Sequence, residues 1–262
     1  MNFKISLAQM HVQPGKVEMN RQRAVEMIAE AAARGSSLVL LPELWSSGYD
    51  LENGDRHAAE TPRILKELQT LARSSNLHIA GSLLEKTPSG LRNTCSWLSP
   101  GADAPLSYSK IHLFRLMQED TWLSAGDHLQ QVPAPWGNTG LAICYDLRFP
   151  ELFRRYALDG SSAFALCAEW PIRRINHWQT LLRARAIENQ AFVFAVNCVG
   201  TSGSETFGGR SAVITPWGEA SVEGSQSEED LLTVEINPRQ VEEARSFLPV
   251  FQDRRPDLYL PV

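Results

Sequence analysis

Short apolar runs alternate with segments of helical spacing along nearly the whole 262-residue chain, and this alternation limits the fold more than any other feature. Leu38–Leu41 is apolar throughout and too short for a helix, so it reads as a strand buried on both faces. Phe3–Met10, His78–Leu84, Thr94–Leu98, Gly140–Cys144, Ala163–Ala168, Phe192–Asn197, Ser211–Thr215 and Leu231–Ile236 read as further strands. Ser89-Gly90 and Pro216-Trp217-Gly218 supply turns between them. Asn20–Ala33 places Ala24, Val25, Ile28, Ala31 and Ala32 on one helical face, and Gly35 stops it. Thr61-Pro62 reads as a helix start with proline at the first helical position, followed by the stripe Ile64, Leu65, Leu68, Leu71 and Ala72. Pro150–Leu158, closed by Gly160, and Asn176–Asn189, capped by Asn176, are further helices, and Pro238 opens a last short one. The proline-containing tail from Phe247 to Val262 is expected to be extended. The economical reading is one α/β domain over residues 1–262, its core about 3–240, with two similar halves packed sheet on sheet and helices outside.

Charge and cysteine content narrow the function classes. Lys and Arg number 25 against 30 Asp and Glu, a formal net charge of −5, which argues against a general nucleic-acid binder. No apolar run approaches the ~18 residues of a membrane span. The first ten residues have no long apolar block, so no signal peptide is expected. Cys95, Cys144, Cys167 and Cys198 are too scattered for a disulfide framework, and neither a CxxC nor a zinc-spaced histidine pair occurs, so no metal is expected. A reducing cytoplasmic setting follows.

Four residues stand where reactive groups are useful. Cys144 ends an apolar run and precedes Tyr145-Asp146-Leu147-Arg148-Phe149-Pro150-Glu151, a strand, turn and helix layout that pushes a nucleophile out of a sheet edge. The helix end behind it is expected to favour thiolate, and its N–H groups to bind an oxyanion. The plain alternative is a buried cysteine at a strand end. Glu43 follows Leu38–Pro42 directly, at the strand end where α/β folds place reactive groups, and partial burial makes it a usable base. Lys110, on the face of His112 and Phe114 if Ser107–Phe114 is a strand, is a fixed cation for a developing oxyanion; as a lone feature it is a surface lysine. Glu119, ahead of Gly126-Asp127, is placed to hold that lysine or orient an amide nitrogen.

Together Leu41-Pro42-Glu43-Leu44, Lys110-Ile111-His112-Leu113-Phe114 and Ile143-Cys144-Tyr145-Asp146-Leu147-Arg148-Phe149-Pro150-Glu151 resemble the nitrilase superfamily, the carbon–nitrogen hydrolases. Arg183–Gln190 and Asp253–Tyr259 match as well, so the resemblance covers nearly the whole chain. It implies an α-β-β-α sandwich, a catalytic triad of Glu43, Lys110 and Cys144, and Glu119 as a second glutamate. The Cys-Tyr-Asp-Leu-Arg-Phe-Pro-Glu run is similar to the omega-amidase branch, which hydrolyses monoamides of small dicarboxylic acids such as 2-oxoglutaramate. Tyr145 stands where nitrilases and carbamoyl amidases usually carry Trp, which lowers those alternatives; an inactive binding relative is a third. The implied chemistry runs through a thioester, with the Tyr145 backbone N–H at the oxyanion and no cofactor. A substrate carboxylate calls for a cation or tyrosine, for which Tyr49, Arg115 and Arg173 are the candidates, with Arg174 beside the last and Trp170 as a pocket wall. An ion pair between Asp146 and Arg148 is expected to brace the turn. The resemblance also implies a homodimer, and Phe153, Tyr156, Trp178, Leu181 and Leu182 on two helices suggest apolar surface to spare.

Overall fold

The structure is a computed structural model that describes residues 1–259. The chain runs β1 (Phe3–Gln9), α1 (Val17–Ala33), β2 (Leu38–Leu40), α2 (Gly54–Ser75), β3 (His78–Thr87), β4 (Gly90–Leu98), β5 (Leu106–Ser109) and the short α3 (Glu119–Trp122). There follow β6 (Gln131–Val132), β7 (Thr139–Ile143), α4 (Pro150–Leu158), β8 (Ala163–Ala168), α5 (Ile175–Asn189), β9 (Phe192–Asn197), β10 (Val199–Ser202) and β11 (Glu205–Gly208). β12 (Ala212–Ile214), β13 (Ala220–Glu223), β14 (Asp230–Ile236), α6 (Arg239–Phe247) and α7 (Pro256–Tyr259) complete it.

Two six-stranded mixed sheets form, in the orders β14-β1-β2-β3-β4-β5 and β13-β12-β9-β8-β7-β6, with β10 and β11 as a separate hairpin. The central strands β1, β2 and β3 are parallel, as are β7, β8 and β9, and antiparallel neighbours flank each set. The two-residue period of a strand explains why Leu38–Leu41 is apolar without interruption. Leu38 and Leu40 pack between the sheets with Ile143, Leu166 and Val196, while Val39 and Leu41 pack under Ala24, Ile28, Ile64 and Leu68 of α1 and α2. Each such buried aliphatic side chain contributes about 1.5–3 kcal/mol. On the other outer face α4 and α5 lay Phe153, Tyr156, Trp178 and Leu182 onto β7, β8 and their neighbours. The layers are therefore helix, sheet, sheet, helix.

Several local expectations are corrected. α2 begins at Gly54, not at Thr61-Pro62, and holds Pro62 in its interior. Interior proline costs about 3 kcal/mol, but the turn ahead of it is tied down. Ala58 packs with Leu44, Leu51, Leu84 and Leu123, and the Thr61 hydroxyl donates to the Leu84 carbonyl at 2.6 Å. Asn176 is not a cap; α5 starts one residue earlier, after Arg174. β5 stops at Ser109, so Lys110 lies beyond the strand rather than within one. The tail carries turns and the helix α7 instead of extended chain; Leu260, Pro261 and Val262 lie outside the described residues. Phe153, Tyr156, Trp178 and Leu182 are buried within the protomer and Leu181 is half-buried, so these side chains are not the spare apolar surface expected of them. All four cysteines are free thiols, and among the described residues no helix is long and apolar enough to cross a membrane.

Candidate active site

Four strands deliver side chains to one end of the sandwich: β2 leads to Glu43, β5 to Lys110, β7 to Cys144 and β8 to Glu169. Backbone contacts fix the first two. The Leu41 N–H donates to the Ala80 carbonyl at 2.7 Å and the Leu44 N–H to the Ser82 hydroxyl at 2.8 Å, which holds Glu43 between them. The Lys110 N–H donates to the Asn93 carbonyl at 2.9 Å, and its own carbonyl accepts from the Gly126 N–H at 2.8 Å. Gly126 sits so close to this strand end that a Cβ would lie 2.1 Å from the Ser109 carbonyl oxygen, so the approach requires glycine.

The structure brings Glu43, Lys110, Glu119 and Cys144 together. Lys110, Glu43 and Glu119 have no exposed surface, and the Lys110 ammonium donates to Glu43 Oε1 at 2.8 Å and to Glu119 Oε1 at 2.5 Å. Asn93 Nδ2 donates to Glu43 Oε1 at 2.8 Å and the Glu169 N–H to Glu43 Oε2 at 2.9 Å. Glu119 Oε2 accepts from the Phe114 N–H at 2.7 Å. Burial pulls the Lys110 ammonium down, but the adjacent Glu43 and Glu119 carboxylates outweigh it and hold it well above its ordinary value. Burial, with the charge of Glu43 in support, pushes the Glu119 carboxyl up against the pull of Lys110.

Cys144 has φ of 45°, a left-handed conformation that costs a non-glycine residue about 1–3 kcal/mol. The turn that follows, Cys144–Arg148, is a 3₁₀ turn, and α4 starts only after it. The expected helix end is thus not at the sulfur. The thiol is pushed up rather than down, first by burial and then by the Glu43 carboxylate. The Tyr145 N–H lies in the first turn of this 3₁₀ segment, where backbone donors have no partner within the helix.

Asp146 braces the turn, but not through Arg148. Its Oδ2 accepts from the Ile143 N–H at 2.9 Å and the Tyr108 hydroxyl at 2.8 Å. Its Oδ1 lies 2.7 Å from His112 Nδ1, and the His112 ring stacks on Phe149 at 3.6 Å between centroids. Arg185 of α5 adds two bonds to the Leu147 carbonyl, at 2.8 and 3.1 Å. No role for His112 follows from the sequence, although it lies in the same Lys110–Phe114 run as the lysine.

Cys144 opens into a narrow pocket lined by Tyr145, Arg148, Glu169, Trp170 and Arg174, with Phe114 at its side. The Arg148 guanidinium lies 4.8 Å from the Trp170 ring centroid and that of Arg174 5.3 Å from Phe114. Among the described residues neither has a carboxylate within ion-pair distance. Trp170 and Arg174 line the pocket, whereas Arg115 and Arg173 do not. Arg115 has its side chain 86% exposed, loosely facing Asp120 at 3.8 Å, and Arg173 is exposed outside the pocket. Tyr49 donates its hydroxyl to Glu119 Oε1 and, at 3.0 Å, to Glu43 Oε1. It is a member of the polar cluster around Lys110 and does not line the pocket at Cys144. A larger groove of about 820 Å³ between α4 and tail residues Val250, Asp253 and Arg254 contains no nucleophile.

A strained thiol seated among a lysine and two glutamates at the strand ends of an α-β-β-α sandwich defines the chain as a hydrolase of the thiol-bearing sandwich class. It belongs to the carbon-nitrogen hydrolase family, whose family model matches residues 4–246. It is 39% identical to the 2-oxoglutaramate amidase of Bacillus subtilis over 99% of this chain and 100% of that one. It is 32% identical to omega-amidase NIT2 of Homo sapiens over 98% of this chain and 97% of that one. A CN-hydrolase superfamily protein from Xanthomonas campestris, solved with an arsenic adduct in its active site, superposes with a TM-score of 0.90 at 32% identity. That match covers 97% of this chain and 98% of the other.

Proposed function

We propose that this enzyme is an omega-amidase, which hydrolyses the terminal amide of a small omega-amido acid of the 2-oxoglutaramate type to the dicarboxylate and ammonia. The observation that carries the substrate class is the pair Arg148 and Arg174, which line the Cys144 pocket without a carboxylate of their own. A substrate carboxylate supplies it, and a substrate lacking one leaves two guanidinium groups uncompensated. Similarity to a 2-oxoglutaramate amidase over the full chain supports the same reading.

In the proposed mechanism Cys144 attacks the amide carbonyl as its thiol proton passes to Glu43. A C–S bond forms, and the carbonyl electrons move to the oxygen. Lys110 has three N–H donors; Glu43 and Glu119 take two, and the third meets the oxyanion together with the Tyr145 N–H. Each such donor lowers the barrier by about 3 kcal/mol. Glu119 holds Lys110 and accepts from the amide N–H₂. Glu43 returns the proton to nitrogen, the C–N bond breaks, and ammonia leaves a thioester. Glu43 then takes a proton from water, whose oxygen attacks the thioester; the C–S bond breaks and the thiol is restored.

The enzyme is further proposed to act as a homodimer in a reducing, cytoplasmic setting. Exposed apolar side chains on the α4, α5 and α6 side, including Leu158, Ile187, Phe247 and Leu248, support pairing, and the free thiols support the compartment. Light scattering at micromolar concentration tests the pairing, and a monomer mass contradicts it. For the activity, ammonia release from 2-oxoglutaramate and succinamate is compared with that from an aliphatic amide of equal length and a nitrile. Faster turnover of either uncharged compound overturns the omega-amidase reading.

A further inference from the structure

Glu169 has no part in the mechanism above, yet it is 1% exposed, follows β8 directly and lines the pocket beside Cys144. Its backbone N–H is committed to Glu43, but its side-chain Oε1 is buried without a hydrogen-bond partner, and among the described residues no cation lies within ion-pair distance. A buried carboxylate in that state is costly; a neutral carboxylic acid is far less so. The groups that face it are Glu43, Lys110 and Glu119 from the strand ends and α3, Cys198 after β9, and Cys144, Arg148 and Arg174 across the pocket. Burial, reinforced by the charge of Glu43, pushes the carboxyl well above the usual range, and Lys110, already shared by two carboxylates, does not reverse this.

We propose that Glu169 is a substrate-binding residue that meets the substrate as an uncharged acid, donating its O–H to a keto or carboxylate oxygen on the acyl chain of an omega-amido acid. The proposal rests on the omega-amidase reading and extends it. Ionised, the same side chain would set a second negative charge against the substrate carboxylate; protonated, it becomes a donor fitted to that oxygen. A carboxylic acid kept neutral at pH 7 by an apolar site is an established way of placing such a donor. Arg148 and Arg174 then neutralise the substrate's charge, while Glu169 fixes the chain so that the amide carbon faces the sulfur.

The test compares Glu169→Gln and Glu169→Ala across pH. Gln is uncharged, has the same shape and keeps a donor. Glu169→Gln is expected to retain kcat/KM for 2-oxoglutaramate within about threefold of the parent, and Glu169→Ala to lose about tenfold or more, mainly through KM. Any alkaline decline in kcat/KM that Glu169 causes disappears in Glu169→Gln. Infrared spectra of parent minus Glu169→Gln should show a protonated-carboxyl band at neutral pH. A Glu169→Gln variant as impaired as Glu169→Ala, two unimpaired variants, or no such band would each overturn the proposal. Failure of the omega-amidase reading shows instead in the parent enzyme, as preference for an uncharged amide or nitrile. The infrared band reports the state of Glu169 whichever amide is the substrate.

Discussion

Lys110 and Glu43 meet at 2.8 Å with no exposed surface on either, although 67 positions separate them in the chain. A charge pair buried this completely is retained for its geometry as much as for its energy: desolvation offsets much of the attraction, whereas removing one partner strands the other. Here the pair, with Glu119 as third member, leaves one ammonium donor without a partner among the described residues.

Lys110→Met is expected to destabilise the fold by about 3–5 kcal/mol, because Glu43 and Glu119 lose the cation they share, and to leave no measurable turnover. Lys110→Arg should also be inactive, since a planar fork does not replace a compact ammonium between two carboxylates. Urea unfolding followed by ammonia release checks both. Arginine-supported turnover near the parent rate contradicts the account.

Asp146 holds the turn rather than the substrate. Asp146→Ala leaves the Ile143 N–H and Tyr108 hydroxyl unpaired in the core, at about 1–3 kcal/mol each. The brace flanks Cys144, whose φ is 45°. The expected outcome is a lower unfolding midpoint together with a fall in kcat; a stable variant with parental kcat counts against the brace.

Much of the site was legible because strand ends are legible. Glu43 and Cys144 each follow an apolar run directly, and the family resemblance supplied Lys110 and Glu119. The same signal marked Glu169, a carboxylate immediately after Ala163–Ala168, but it was not used. Arg174 was named only beside Arg173, and Arg148 only as a brace for the turn, because the direction of a guanidinium is set by what it stacks on. Trp170 and Phe114 come to it from other parts of the chain. The Asp146–His112 contact spans 34 positions and depends on where β5 ends, which local spacing does not reveal. The interior Pro62 was misread for a related reason: burial of Leu51 and Ala58 extends α2 backward against local preference.

Arg148→Ala and Arg174→Ala should each raise KM for 2-oxoglutaramate about tenfold or more while changing turnover of an uncharged amide little, since a charge-assisted bond contributes about 1.5–3 kcal/mol. Arg115→Ala and Arg173→Ala, both exposed, should leave both substrates unaffected. Steady-state kinetics on the four variants decides the matter. Equal losses on charged and uncharged substrates would remove the assignment.

Cys144 should alkylate slowly near neutrality. Its thiol is pushed up by burial and by Glu43, so the thiolate fraction at a given pH is smaller than for an exposed thiol. The rate should keep rising past pH ~8.5, where an ordinary thiol is half ionised. In Lys110→Met the nearest positive charge is gone, and the rise should move to still higher pH. Iodoacetamide rates against pH, read by mass spectrometry, check this; a plateau below pH ~8 contradicts it.

The proposed chemistry turns on a thioester at Cys144 on the path from omega-amido acid to dicarboxylate. Acid-quenched turnover of 2-oxoglutaramate, with peptide mapping by mass spectrometry, tests it most directly. The account predicts an acyl adduct on the peptide containing Cys144, dependent on substrate, and neither adduct nor ammonia from Cys144→Ala. Ammonia release by Cys144→Ala near the parent rate, or an adduct mapped to Cys95, Cys167 or Cys198, would contradict it.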